Sequence, residues 1–493
     1  MADYDLIIRD GRIIDGAGAP AREGSIAVRG DRIEAVGDVT GTAAREIDAR
    51  GMAVAPGFID VHAHDDAAVV RDPRVDFKIM QGVTTDVVGN CGAGVAPAND
   101  RFRAAYAANF SGILGEIDLP WSTTAGYFAA VDGAHPACNV AAYVPHGVVR
   151  FNVMGTDKRE PSEAELDEMR RLVNDAMTAG AIGLSTGLIY PPGAYSHTEE
   201  LVELAKVAAQ HGGIYTSHIR NEGDHVMDAV AEAIEIGERA GCGVQISHHK
   251  SAGPGAFGLT KQTLPFIAAA RARGVDVTID VYPYIASSSS LAAMYRIGRD
   301  ATFEHVKAIV ASVKYNKDKY EGKYVHDIAA ELDLPVGEAV RKVLADEENT
   351  PSVIMFIMDE ADVRRVVEDA HCMVGSDGLP TEGKPHPRLY GTMPRVIQRY
   401  VREEGVLTLE EAVRKMTSLP AKKHRLGDRG VLEPGHYADV VVFDPDTIAD
   451  VATYEEPRQY PTGIAYVVVN GAVAVDGGVQ TGARAGRMLR RSA

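Results

Sequence analysis

Along most of the chain, short apolar runs alternate with longer stretches whose apolar residues recur every three or four positions. The runs fall at Phe58–Val61, Thr84–Val88, Val140–Val144, Ala181–Leu184, Ile214–Ser217, Val244–Ser247, Val275–Val281 and Cys372–Ser376. Each is of strand length, and the stretches between most of them read as helices. Ser162 is followed three residues later by Glu165, the pattern of a capping box, and Ser196 with Glu199 predicts the next helix start in the same way. Val226 to Ala240 and Lys261 to Arg273 are amphipathic and lead into strands. Eight strands alternating with helices, over more than the usual ~250 residues, predict a (β/α)8 barrel of the α/β class.

The two ends have a different texture. Leu6 to Arg9 and Arg12 to Ile14 flank Asp10-Gly11, a hairpin signal, and Ser25 to Val28 and Arg32 to Val36 flank Gly30-Asp31. The last part of the chain resumes this pattern, with Ala438 to Phe443, Ile464 to Val469, then Asn470-Gly471 and Ala472 to Val475. Both ends together predict one small β-domain, a sandwich or barrel built from residues 1–56 and 417–493, with the barrel of residues 57–416 inserted into it. One connection, from Tyr284 to Asp377, is far longer than a barrel crossover needs. It opens on the serine run 287–290, which reads as a flexible hinge, and residues 285–350 are predicted to form a lid insertion before the last barrel strand.

Composition adds mainly exclusions. Hydrophobic content of 45% and charged content of 24% are ordinary for a globular enzyme. A net charge of −18 argues against nucleic acid or an anionic membrane as partner. An anionic substrate would therefore need local positive charge. The first residues carry neither a basic nor an apolar targeting segment, and no apolar stretch is long enough to span a bilayer. Cys91, Cys138, Cys242 and Cys372 form no C-x-x-C pair. The expectation is a cytoplasmic protein without disulfides, its oligomeric state left open.

The chemistry gathers at the strand ends. His62 and His64 are two residues apart after the first run, a spacing that puts both imidazoles on one face of a strand. Later strand ends carry Asn90-Cys91-Gly92, Ser217-His218, Ser247-His248-His249-Lys250 and Gly375-Ser376-Asp377. Barrel active sites are built at this rim. Imidazole, thiolate and carboxylate donors converging there predict a mononuclear or dinuclear metal site, with zinc the natural ion. A Gly-x-Ser-x-Gly motif at Gly183 to Gly187 is followed by Tyr190-Pro191-Pro192-Gly193, which cannot promptly start the helix that a nucleophile elbow requires. His146 reads as structural.

These segments, together with Gly57-Phe58-Ile59-Asp60-Val61-His62-Ala63-His64, Gly187-Leu188-Ile189-Tyr190-Pro191-Pro192-Gly193 and Ser217-His218-Ile219-Arg220-Asn221-Glu222, resemble the amidohydrolase superfamily, and within it the N-acyl-D-amino-acid deacylases. The absence of a lysine from Val140–Val144 and Ala181–Leu184, with Cys91 present, fits that subgroup. The resemblance implies zinc-dependent hydrolysis of small N-acyl-D-amino acids. It implies one tightly bound zinc on Cys91, His218 and His248, and a weaker second site using His62, His64 and Asp377 with Cys91 shared. By the same resemblance His248 is the ligand, and His249 packs. Asp377 would be the general base and acid, and His64 would help polarise the carbonyl. Lys250, on the strand face of His248 if extended geometry continues, is expected to hold the substrate carboxylate with Tyr190, Tyr282 and Ser289, while Arg296 reaches onto the substrate from the lid and favours an acidic side chain. The competing readings are a cyclic-amide hydrolase of the dihydroorotase or hydantoinase kind and a non-catalytic scaffold.

Overall fold

Eight parallel strands form the centre of the computed structural model, which describes residues 2–109 and 117–491. They are β1 (Phe58–Asp60), β2 (Val83–Val88), β3 (Asn139–Ala142), β4 (Gly183–Gly187), β5 (Ile214–His218), β6 (Val244–Ile246), β7 (Val277–Val281) and β8 (Cys372–Val374). Each pairs in parallel with the next, as in Thr85↔Asn139, Thr186↔Ser217 and Ile279↔Cys372. A short continuation, Val144–Pro145, carries β3 onto β4 through Leu184↔Val144. The ring closes where Ala63 bridges Gly378 and the Val61 amide reaches Val374 O at 3.5 Å. All eight predicted strands are therefore present, and every residue in them is buried. Parallel strands covered on both faces read as continuous apolar runs, which is why they were visible in the sequence.

The helices cover the barrel by their apolar stripes. Helix Glu163–Thr178 buries Met169, Val173, Ala176 and Met177, and Ser162 with Glu165 forms the expected capping box. Helix Val226–Ala240 buries Val226, Val230, Ala233 and Ile234 and stops at Gly241, whose φ of 73° is the left-handed cap that glycine supplies. The second capping expectation fails. Helix Thr198–Gln210 has His197 at its N-cap, and the Ser196 hydroxyl instead donates to Gly193 O at 2.6 Å. The preceding turn takes the group that would have capped the helix.

Around the barrel's first and last segments lies one nine-stranded sheet. Its two chain ends meet where Ala53–Pro56 pairs antiparallel with Val440–Phe443, and Leu6, Ile26, Val28, Val54, Val440 and Val468 fill a core of its own. Asn470 and Gly471 both have positive φ, 47° and 82°, as a type I′ turn requires. Asp10-Gly11 is a correction. Tyr4–Ile13 is a single strand with a register shift between Ile8 and Gly11, and only Asp10 is left-handed, at φ 55°. Pairing of Arg12 and Ile13 with Ala53 and Val54 carries the strand through, so the signal marks a bulge.

The long connection folds as an α/β unit. Ala286–Ser290, Ser352–Phe356 and Ala308–Ser312 form an antiparallel three-stranded sheet with Ser352–Phe356 in the middle. Leu291, Phe303, Val310, Val340, Val343 and Val353 pack as its separate core. The serine run is thus a regular strand, Ser287↔Met355 and Ser289↔Val353, and not the hinge its composition suggested. Among the described residues no helix is long and apolar enough to cross a membrane.

Candidate metal centre

The strand ends deliver their polar side chains to one buried point. His62 follows β1, with Nε2 at 3.2 Å from Cys91 Sγ and Nδ1 at 3.2 Å from Asp280 Oδ1. His248 follows β6, with Nε2 at 3.4 Å from the same sulfur. Asp377 follows β8 and places Oδ1 at 3.1 Å from His64 Nε2 and 3.4 Å from His62 Nε2. His62, Cys91, His248 and Asp377 each offer a donor atom within 4.8 Å of the others, and His218, Glu222 and His248 form a second such group. The expected ligands come together, although the grouping differs from the implied one: His248 and Cys91 sit with His62 and Asp377, and Glu222 joins His218.

Holding these donors requires unusual backbone. Cys91, His248 and Asp377 are left-handed, at φ 53°, 34° and 49°. Each such non-glycine residue costs on the order of 1–3 kcal/mol and persists where its surroundings over-determine it. Here they do. The Asp377 amide donates to His62 O at 2.7 Å, and the His248 amide donates to Asp280 Oδ1 at 2.8 Å. The turn around Cys91 leaves no room beside Gly92, where a Cβ would fall 2.8 Å from Gly187 N. Extended geometry therefore ends before His248, which corrects the strand-face reason for Lys250. Lys250 still arrives, through the turn, with Nζ at 2.7 Å from His248 Nδ1 and 2.5 Å from Glu222 Oε1. His249 points away and bonds Thr263 Oγ1 at 2.7 Å.

Electrostatics match a cation site. Burial disfavours the thiolate, yet His62 and His248 outweigh it and hold Cys91 well below the usual thiol range. Burial likewise opposes ionised Asp377, but Arg388, whose Nη1 lies 2.9 Å from Oδ2, keeps that carboxyl well below the ordinary value. Burial pushes His218 down, and its Nε2 has no hydrogen-bond partner among the described residues. Buried polar atoms are rarely left unpaired. Thiolate, imidazole and carboxylate donors around such an atom suit a borderline-soft divalent ion such as zinc.

A cavity of about 510 Å³ opens onto these groups. His64, Cys91, His218, His248, Lys250 and Asp377 line it together with Tyr190, Tyr282, Ser289 and Arg296. Tyr190 and Ser289 share a hydroxyl contact at 3.1 Å, the buried Tyr282 hydroxyl has no hydrogen-bond partner among the described residues, and Arg296 is exposed. The decoys resolve structurally. Ser185 lies inside β4, accepts from the Gly92 amide at 3.1 Å and donates to Gly89 O. His146 bonds Glu200 at 2.8 Å. Three residues of the site were missed. Glu222 stood in a motif already noted, and Asp280 is the penultimate residue of β7, close to where the strand-end rule looks. Arg388 stacks on Tyr282 at 4.4 Å and carries no local signal.

The model of the amidohydrolase family matches residues 45–311 and 266–475. An N-acyl-D-glutamate deacylase of Alcaligenes xylosoxydans xylosoxydans is 44% identical over 490 residues, covering 99% of this chain and 97% of that protein. A D-aminoacylase structure described by its binuclear metal centre superposes with a TM-score of 0.92 at 41% identity, over 99% of this chain and 100% of that one. The N-acyl-D-glutamate deacylase of Bordetella bronchiseptica, solved with zinc and a phosphonate mimic of the tetrahedral intermediate, gives 0.90 at 43% identity, with 99% of each chain covered. With the barrel, the rim donors and these matches in agreement, the chain belongs to the amidohydrolase family.

Proposed function

We propose that the protein is a zinc-dependent deacylase that hydrolyses N-acyl-D-amino acids to a carboxylate and a free D-amino acid. The observation that carries this reading is the donor set itself: a thiolate, Cys91, amid His62, His218, His248 and Asp377, with Cys91, His218, His248 and Asp377 lining one cavity. No lysine is present in β3 or β4 to act as a bridging ligand. Cys91, His218 and His248 would hold the tight zinc, His248 being common to both donor groups, and His62, His64 and Asp377 with Cys91 shared would hold a weaker one, supplying a Lewis acid and a bound water with its pKa lowered to ~7. The D-configuration of the substrate is carried over from the matched deacylases.

The chain's own groups divide the remaining work. Arg388 keeps Asp377 ionised, so Oδ1 is available to take a proton and later return it to the leaving nitrogen. His64, on the same oxygen at 3.1 Å, faces the cavity where the scissile carbonyl would lie. Lys250, Tyr190, Tyr282 and Ser289 are positioned to hold the substrate carboxylate. Arg296, on the helix that follows the serine strand, is the group for an acidic side chain. The insertion acts as the lid. The protein's four cysteines, Cys91, Cys138, Cys242 and Cys372, are free thiols, which supports a cytoplasmic setting.

The test is a panel of N-acetyl-D- and N-acetyl-L-amino acids and hydantoins, assayed with zinc present. Turnover confined to the D-series is the expected outcome. Preferential turnover of hydantoins would overturn the reading in favour of a cyclic-amide hydrolase.

A further inference from the structure

Asp280 is fully buried near the end of β7, and its carboxylate touches two of the metal-ligand candidates by different routes. Oδ1 faces His62 Nδ1 at 3.2 Å and accepts the backbone N–H of His248 at 2.8 Å. The main-chain oxygen of Asp280 accepts the next amide, that of His249, at 2.7 Å. Oδ2 accepts from Gln245 Nε2 at 2.6 Å, so both carboxylate oxygens are engaged. The ion pair Asp280 forms is with His62, with no lysine or arginine among its hydrogen-bond partners among the described residues. A buried carboxylate without a compensating charge is costly, and here the compensation comes from the metal-ligand side.

We infer that Asp280 is a positioning residue of the metal centre, holding the proton of His62 on Nδ1 and pinning the left-handed turn at His248. With Nδ1 donating to Asp280, Nε2 is left as the lone-pair nitrogen, and it is Nε2 that faces Cys91. With the His248 amide and the His249 amide both bonded to residue 280, the turn keeps its φ of 34° and directs His248 Nε2 to the same sulfur. A carboxylate behind a ligating imidazole fixes the ring and raises its basicity, and its loss typically lowers metal affinity 10–100-fold. This inference rests on the metal-dependent reading above.

The probe is zinc alone, titrated into metal-stripped wild type, Asp280→Ala and Asp280→Asn in competition with a chromophoric chelator, alongside zinc-free melting temperatures. Asp280→Ala should weaken zinc about 10–100-fold. Asp280→Asn keeps an acceptor of the same shape but no charge, and should weaken it by about tenfold, the low end of that range. A purely structural residue would lower the zinc-free melting temperature and leave zinc affinity unchanged. Asp280→Asn within about twofold of wild type overturns the inference, and that value decides alone if the alanine variant does not fold. Wild type that binds no zinc would overturn the functional reading and this inference with it, whereas tight wild-type binding with an unaffected variant removes only the inference.

Discussion

Replacing Lys78 by methionine should be among the most damaging single changes in the barrel. The side chain has no exposed surface, and its ammonium contacts Asp60, Asp65 Oδ2 at 2.9 Å, Asp86 Oδ1 at 3.5 Å and Ser376 Oγ at 3.0 Å. Burial pushes the pKa of this lysine down, yet the three carboxylates hold it well above the ordinary value. Methionine fills similar space but leaves those carboxylates without a cation. Breaking a buried ion pair from one side costs about 3–5 kcal/mol. The consequence reaches the site, because Asp60 Oδ1 accepts the amides of His62 at 3.2 Å and Ser376 at 2.8 Å and so ties together the ends of β1 and β8. Burial raises Asp86 above the usual carboxylate value and Lys78 opposes that rise, so once Lys78 is gone Asp86 is the carboxylate whose charge is least supported and whose neutral amide costs least. Asp86→Asn added to Lys78→Met should therefore restore roughly 1–2 kcal/mol, a non-additivity expected of groups in contact. Denaturant titration of the wild type, the single variants and the double variant measures these differences. A Lys78→Met loss smaller than about 1 kcal/mol would refute the reasoning, since it would mean the carboxylates carry no charge for the lysine to offset.

Cys91→Ala should lose tight zinc and turnover together, and near-stoichiometric zinc in the purified variant would contradict its place as the strongest donor. Asp377→Asn should lower kcat by about 10²–10⁴-fold with the tight zinc retained, read by metal analysis beside steady-state kinetics. Arg296→Met should impair N-acetyl-D-glutamate more than N-acetyl-D-leucine, and equal losses on both would remove Arg296 as a side-chain selector. Ser162→Ala, which removes the capping box of helix Glu163–Thr178, should cost about 0.5–2 kcal/mol in denaturant titration and leave kcat unchanged.

What the sequence disclosed and what it concealed follow from how far each interaction reaches. The barrel strands are short runs buried on both faces, so their signal is local and apolar. The ligands were visible because each sits one to three residues beyond such a run, at the rim where barrel sites form. Asp280 and Glu222 reach the site from the strands on either side of the one that carries His248, over sequence separations of 32 residues for Asp280 and His248 and of 28 for Lys250 and Glu222. Glu222 stood in a noted motif and Asp280 near a strand end, but nothing in the residues around Arg388 distinguishes it from a base on a surface. Lys78 is the extreme case, a lysine between Phe77 and Ile79 that proves to be fully buried. The serine run failed as a hinge for a similar reason. Its composition favours disorder, but pairing with Ser352–Phe356 at residues sixty and more positions away makes it a strand. Asp10-Gly11 carried a true turn propensity that long-range pairing converted into a bulge.

The central claim, a thiolate-anchored zinc site that hydrolyses N-acyl-D-amino acids, is tested most directly by zinc titration of the metal-stripped protein while N-acetyl-D-glutamate hydrolysis is followed. Activity should be absent at the start and recover in step with the first equivalent of zinc bound, with N-acetyl-L-glutamate remaining unhydrolysed throughout. Full activity in the metal-stripped protein, or hydrolysis of the two enantiomers at equal rates, would contradict it.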